Sequence, residues 1–99
     1  MHKVACCLLA LGVTIGASLS DAKANDSFLA QQKSTQQAGQ GRMRHVGGSL
    51  GSGRYEGVGF SSRSPDEAIR NACYWGQKTP VGIGVARGSN GWYATVLYR

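Results

Sequence analysis

An N-terminal segment sets how much of this chain is left to fold. His2 and Lys3 form a basic start, an apolar run extends from Val4 to Leu19, and Ala22-Lys23-Ala24 follows as a small-x-small triplet. Together these read as a secretory signal peptide over residues 1–24, cleaved before Asn25. The run is short for a membrane span and is diluted by Gly, Ser and Thr, so an uncleaved anchor is the lesser reading. Cys6 and Cys7 lie within the run and leave with it. No Cys stands at the cleavage point, which argues against a lipidated N-terminus.

Processing leaves 75 residues, enough for one small domain. A chain of that size buries roughly 60% of its unfolded surface and commonly needs a staple. In an exported protein the usual staple is a disulfide. Only Cys73 remains after cleavage, so no intramolecular bridge is expected. Cys73 is then either a small buried hydrophobe or one half of an intermolecular disulfide. The mature chain carries nine basic and four acidic side chains. That balance suits contact with anionic polymers, although the basic residues are scattered along the sequence.

Residues 25–38 read as a helix capped by Asn25 or Asp26, with Ala30, Ser34 and Ala38 in a small-residue stripe. The Gln and Lys residues between 31 and 37 read as solvated. Residues 39–54 read as a loop, because six of the sixteen are Gly. Residues 55–60 alternate as a strand, with Glu56, Val58 and Phe60 on one face and Gly57 and Gly59 on the other. Bare glycines on one face allow close approach by another element.

Residues 64–75 read as a second helix. Ser64 suits the N-cap, Pro65 the first turn, and Glu67 the capping box. Residues 81–87 and 92–98 alternate as two strands around the turn Gly88-Ser89-Asn90-Gly91, a hairpin. Trp92, Tyr93 and Tyr98 read as half core and half surface, with a stacking platform as the alternative. The expected fold is α+β: a small three-stranded sheet with a C-terminal hairpin, covered by two helices.

The order of these pieces resembles a shortened CAP domain, the superfamily of cysteine-rich secretory and pathogenesis-related-1-like proteins. Gly41-Arg42-Met43-Arg44-His45 is similar to the segment that delivers a His. Tyr55-Glu56-Gly57-Val58 is similar to the one that delivers a Glu. Ser64 to Trp75 resembles the following helix, and residues 81–98 resemble the closing hairpin. The chain departs from the family at Gly76-Gln77-Lys78-Thr79-Pro80, where a second His is usual and none occurs.

The resemblance implies an α-β-α arrangement and an extracellular, periplasmic or cell-envelope setting. It also implies a non-enzymatic binding role with a lipid or protein ligand. Its candidate site residues are His45 and Glu56, facing each other across a cleft. Without it, Glu56 reads as a rim carboxylate paired with an Arg, and His45 as a solvated loop residue. No cofactor is expected. One His cannot complete a zinc site, which takes three or four ligands, so no metal is expected either. Catalysis by Cys73 with His45 would require an exposed thiol beside the imidazole. The alternative function is a basic envelope-surface module that binds anionic polymers.

Overall fold

The computed structural model describes the backbone of residues 7–9 and 19–99 and the side chains of residues 25–99. His2, Lys3 and most of the apolar run lie outside the described residues. In chain order the elements are β1 (Cys7–Leu9), α1 (Leu19–Gln40), β2 (Tyr55–Ser61), α2 (Pro65–Arg70), β3 (Pro80–Gly88) and β4 (Gly91–Tyr98). The sheet is antiparallel throughout, in the order β1-β2-β4-β3. Its body is the expected three strands β2-β4-β3, to which the three-residue β1 adds an outer strand beside β2. Helix α1 covers one face and α2 the other, an α+β sandwich.

The hairpin forms where the turn residues place it. Gly88 pairs with Gly91 around Ser89-Asn90, and the ladder runs from there to Pro80 opposite Tyr98. Strand β4 is central, between β2 and β3. With a helix on each face, both sets of its alternating side chains are buried, and every residue from Tyr93 to Tyr98 is enclosed. The half-surface reading of this strand is therefore corrected. Tyr93 and Tyr98 are core residues, and neither offers a ring to a ligand.

Helix α1 is longer than expected at both ends. No Gly or Pro interrupts the sequence between Leu19 and Gly39, so helix propensity has no local break. Asp26 is not the cap but an interior helical residue, 1% exposed. Its carboxylate accepts hydrogen bonds from the backbone N–H and the hydroxyl of Ser52, which tie the Gly-rich loop to the helix. The helix stops at Gly41 (φ 67°), where Gly41 N–H bonds Ala38 O and Arg42 N–H bonds Gln37 O. That pair of reverse bonds around a left-handed Gly is a Schellman stop.

Helix α2 is shorter than expected. Ser64 caps it by accepting the Glu67 N–H at 3.0 Å. The chain then leaves the helix at Asn71 and continues in turns to Gln77. Tyr74 adopts φ 69° there, a left-handed conformation unusual for a side-chain-bearing residue. The tertiary packing accounts for it. The Tyr74 ring sits edge-on to both Tyr55 and Tyr98, at 5.5 and 5.8 Å, a favourable aromatic geometry that a continued helix would forfeit.

Glycine sets the distance between layers. A Cβ on Gly84 would fall into the backbone of Ala30 and Gln31 of α1, and one on Gly59 into the backbone of Ala68 of α2. The two core clusters lie on either side of the sheet. Ala30, Leu50 and Leu97 form one, and Ala72, Val96 and Tyr98 the other. At the outer edge, Gln31 bonds both backbone groups of Val85, donating to its C=O at 2.9 Å and accepting from its N–H at 3.1 Å. Among the described residues no helix is long and apolar enough to cross a membrane.

Candidate functional site

Glu56 lies on β2 beside Leu97 of β4, with its side chain toward α1 and no exposed surface. A carboxylate in that position requires partners, and it has two. Lys33 Nζ of α1 donates to Oε1 at 2.9 Å, and His45 Nδ1 lies 3.1 Å from Oε2. The Lys33 side chain is 6% exposed and that of His45 18%. Both carboxylate oxygens are thus engaged, one by a helix and one by the loop.

His45 is held in place by the end of α1. The Arg44 N–H bonds the Gln37 carboxamide oxygen at 3.3 Å, and Arg44 Nε bonds that of Gln40 at 2.7 Å. The bond to Glu56 requires a hydrogen on Nδ1. Nε2 is buried and has no hydrogen-bond partner among the described residues.

The Glu56 charge is set by opposing effects. Burial disfavours the carboxylate and is the largest influence. The hydrogen bonds from His45 and Lys33, and their positive charge, together outweigh it and hold the Glu56 pKa below the ordinary carboxylate range. Glu56 is therefore an ionised and fully partnered group rather than a free general base.

The sequence-predicted residues are distributed as follows. His45 and Glu56 are brought together. Cys73 lies across the sheet from them, its backbone against Gly57 on the α2 face. It is also disulfide-bonded, and the other cysteines of the chain are Cys6 and Cys7. That bond corrects the free-thiol reading of Cys73. Among the described residues no nucleophilic thiol stands beside His45. Among the described residues no group of three or more His, Cys, Asp or Glu side chains is placed to hold a metal ion. The second position on the carboxylate is taken by the Lys33 ammonium.

Lys33 is the functional residue that the sequence reading misses, together with Gln37. Both were expected in solvent, yet Lys33 is 5% exposed and Gln37 is fully buried. Their signal is the i, i+4 spacing beside the stripe of Ala30 and Ser34. The stripe itself is polar at its centre. Ser34 Oγ donates to Gly84 O, and the hydroxyls of Ser34 and Thr95 lie 3.0 Å apart. The Gln37 amide donates to Thr95 Oγ1 at 2.8 Å.

Three basic residues lie at the same end of the sheet as Glu56, where β2 and β3 begin and β4 ends. Arg54 N–H bonds Tyr98 O, and Arg99 N–H bonds Thr79 O. These bonds place Arg54, Arg99 and Lys78 close together in the fold. Lys78 Nζ lies 4.0 Å from the centre of the Tyr55 ring. No protein family, curated protein or solved structure matches this chain.

Proposed function

We infer that the chain is a secreted, non-enzymatic CAP-like binding domain of the extracellular space or cell envelope, with a lipid or protein ligand. The observation that supports this most is the meeting of His45 and Glu56 at 3.1 Å. The two residues lie on different elements, and the family resemblance pairs them. The helix–sheet–helix layering agrees with the same reading. The engagement of both Glu56 oxygens supports binding over catalysis, because no free base or nucleophile stands at the pair.

The test has two parts. Mass spectrometry of the exported protein finds Asn25 as its first residue if the leader is cleaved as expected, which removes β1 and the first six residues of α1; Met1 on the exported form rejects the cleavage. Binding is then measured on phosphatidylcholine vesicles and on an immobilised protein panel. Retention that survives high salt and is lost on His45→Ala supports the CAP-like site. A second reading, a basic module for anionic polymers, draws on the grouping of Arg54, Lys78 and Arg99. It predicts binding to an anionic polysaccharide that disappears as salt rises and is indifferent to His45→Ala.

A further inference from the structure

Helix α1 carries glutamines on two neighbouring faces, and one of them shows what such a side chain does here. Gln31 clamps the N–H and C=O of Val85, one residue of an extended strand, with a single carboxamide. Gln32 and Gln36 are exposed, and their side chains form no hydrogen bond among the described residues. With Lys33 between them, they form one wall of an open groove of about 260 Å³.

The facing wall is residues 46–49 of the Gly-rich loop. Among the described residues no backbone hydrogen bond occupies the N–H or C=O groups of this stretch. Gly47 and Gly48 have φ of 86° and 87°, and open space lies where a Cβ would stand on either. This wall is therefore exposed backbone whose donors and acceptors face solvent, opposite two exposed carboxamides.

The spacing suits one kind of ligand. Gln32 and Gln36 are four residues apart, a rise of about 6 Å along the helix. Two residues of an extended chain span about 6.6 Å. The carboxamides are therefore in step with alternate residues of a strand. From Leu29 to Gln36 the groove runs about 10 Å, the length of roughly three extended residues.

We propose that this groove binds an extended peptide segment through its backbone. Gln32 and Gln36 clamp alternate peptide groups as Gln31 clamps Val85, and the backbone of residues 46–49 pairs from the other side. The proposal rests on the binding-domain reading and narrows its ligand from lipid or protein to a peptide strand. Apart from Leu29 and Val46 the lining is polar or bare backbone, which offers an acyl chain little apolar surface. The recognition is of main chain, so it tolerates many side-chain sequences.

The probe is N-acetyl tetra-alanine amide, titrated into the full chain and followed by NMR. The control is the same peptide with its backbone nitrogens methylated. The expected result is saturable shifts of the Gln32 and Gln36 side-chain amides and of the Gly47 and Gly48 backbone amides. Methylation abolishes these shifts. The double variant Gln32→Ala/Gln36→Ala, at exposed positions and checked for an otherwise unchanged spectrum, weakens binding by about tenfold or more. Three outcomes overturn the proposal: no saturable shift at millimolar peptide, equal binding of the methylated peptide, or affinity indifferent to the double variant. Shifts at these residues from phosphocholine micelles or a neutral oligosaccharide, with the peptide silent, overturn it in favour of those ligands. In that last case the binding-domain reading stands, whereas saturable peptide binding by a chain that retains neither vesicles nor any protein of the panel overturns that reading alone.

Discussion

On its α1 side the sheet buries Lys33, Ser34, Gln37, Glu56 and Thr95; on its α2 side it buries Ala72, Val96 and Tyr98. The first interface is held largely by hydrogen bonds and an ion pair between helix and strands. The second is held by contact, with the rings of Tyr55, Tyr74 and Tyr98 edge to edge. The comparison teaches where this domain can hold a site. An apolar interface gains by excluding water and needs only shape. A polar interface must match every donor to an acceptor, and a gap left in that matching is available to a ligand. The open groove and His45 Nε2, which has no partner among the described residues, both lie on the polar side.

The largest expected effect is on the polar side. Glu56→Gln removes the anion and leaves the Lys33 ammonium buried without a counter-charge, at a cost of about 3–5 kcal/mol. Urea denaturation measures the loss. Adding Lys33→Met removes the stranded charge as well, and the double variant should recover at least half the stability. A loss under about 1 kcal/mol for Glu56→Gln would mean that the ion pair is solvated and the contrast between the faces is overstated.

The same pair gives the polar side an acid limb. The Glu56 pKa is lower in the folded chain than in the unfolded one. Its contribution is therefore fully present above the unfolded carboxylate value, near 4.3, and is lost as pH falls through the folded value beneath it. Stability against pH should flatten in that acid range in Glu56→Gln. An acid limb as steep in the variant as in the parent would assign it to other carboxylates.

The apolar side should answer differently. Val96→Ala removes two buried methyl groups and leaves a cavity, for about 2–3 kcal/mol. Because no charge is involved, that loss should be the same at every pH at which the protein is folded. A pH-dependent loss would show that the two interfaces are coupled through β4.

Smaller effects separate single hydrogen bonds from the network. Ser34→Ala withdraws the donor to Gly84 O and the hydroxyl partner of Thr95, for about 1 kcal/mol. A loss well above that would reveal cooperativity across the Ser34–Thr95–Gln37 cluster. The least effect on stability is expected for Gln31→Ala. It exposes both backbone groups of Val85 on an outer strand whose neighbouring Ile83 is 39% exposed, and open edges of this kind recruit other strands. Sedimentation should show self-association of Gln31→Ala where the parent does not associate. A monomeric variant would mean that the edge needs no guard.

Local signals were legible to the extent that local physics decides them. The hairpin turn, the Ser64 cap, the alternation of β2 and the glycines that admit a helix were readable because each depends on a few neighbouring residues. The pairing of His45 with Glu56 came from the family resemblance, since eleven positions separate them and one lies in the loop, the other on β2. Lys33 was not legible. A Lys among glutamines has the composition of a solvated face, and only the position of Glu56 across the interface draws it inward.

The sequence alone therefore determined the types of α1, β2, α2, β3 and β4, the hairpin, the helix start at Ser64 and the close-approach face marked by Gly57 and Gly59. These follow from backbone conformation and side-chain alternation, which act over a few residues. Tertiary structure decided that Asp26 is a buried helical residue, why the chain turns after Arg70, and which polar residues of α1 are core. It also decided that Cys73 is bonded and stands away from His45. Each of those outcomes depends on a partner far off in sequence: Ser52 for Asp26, Tyr98 for Tyr74, Glu56 for Lys33. The free energy of burying a polar or aromatic group depends on what meets it, and only the folded chain supplies that neighbour.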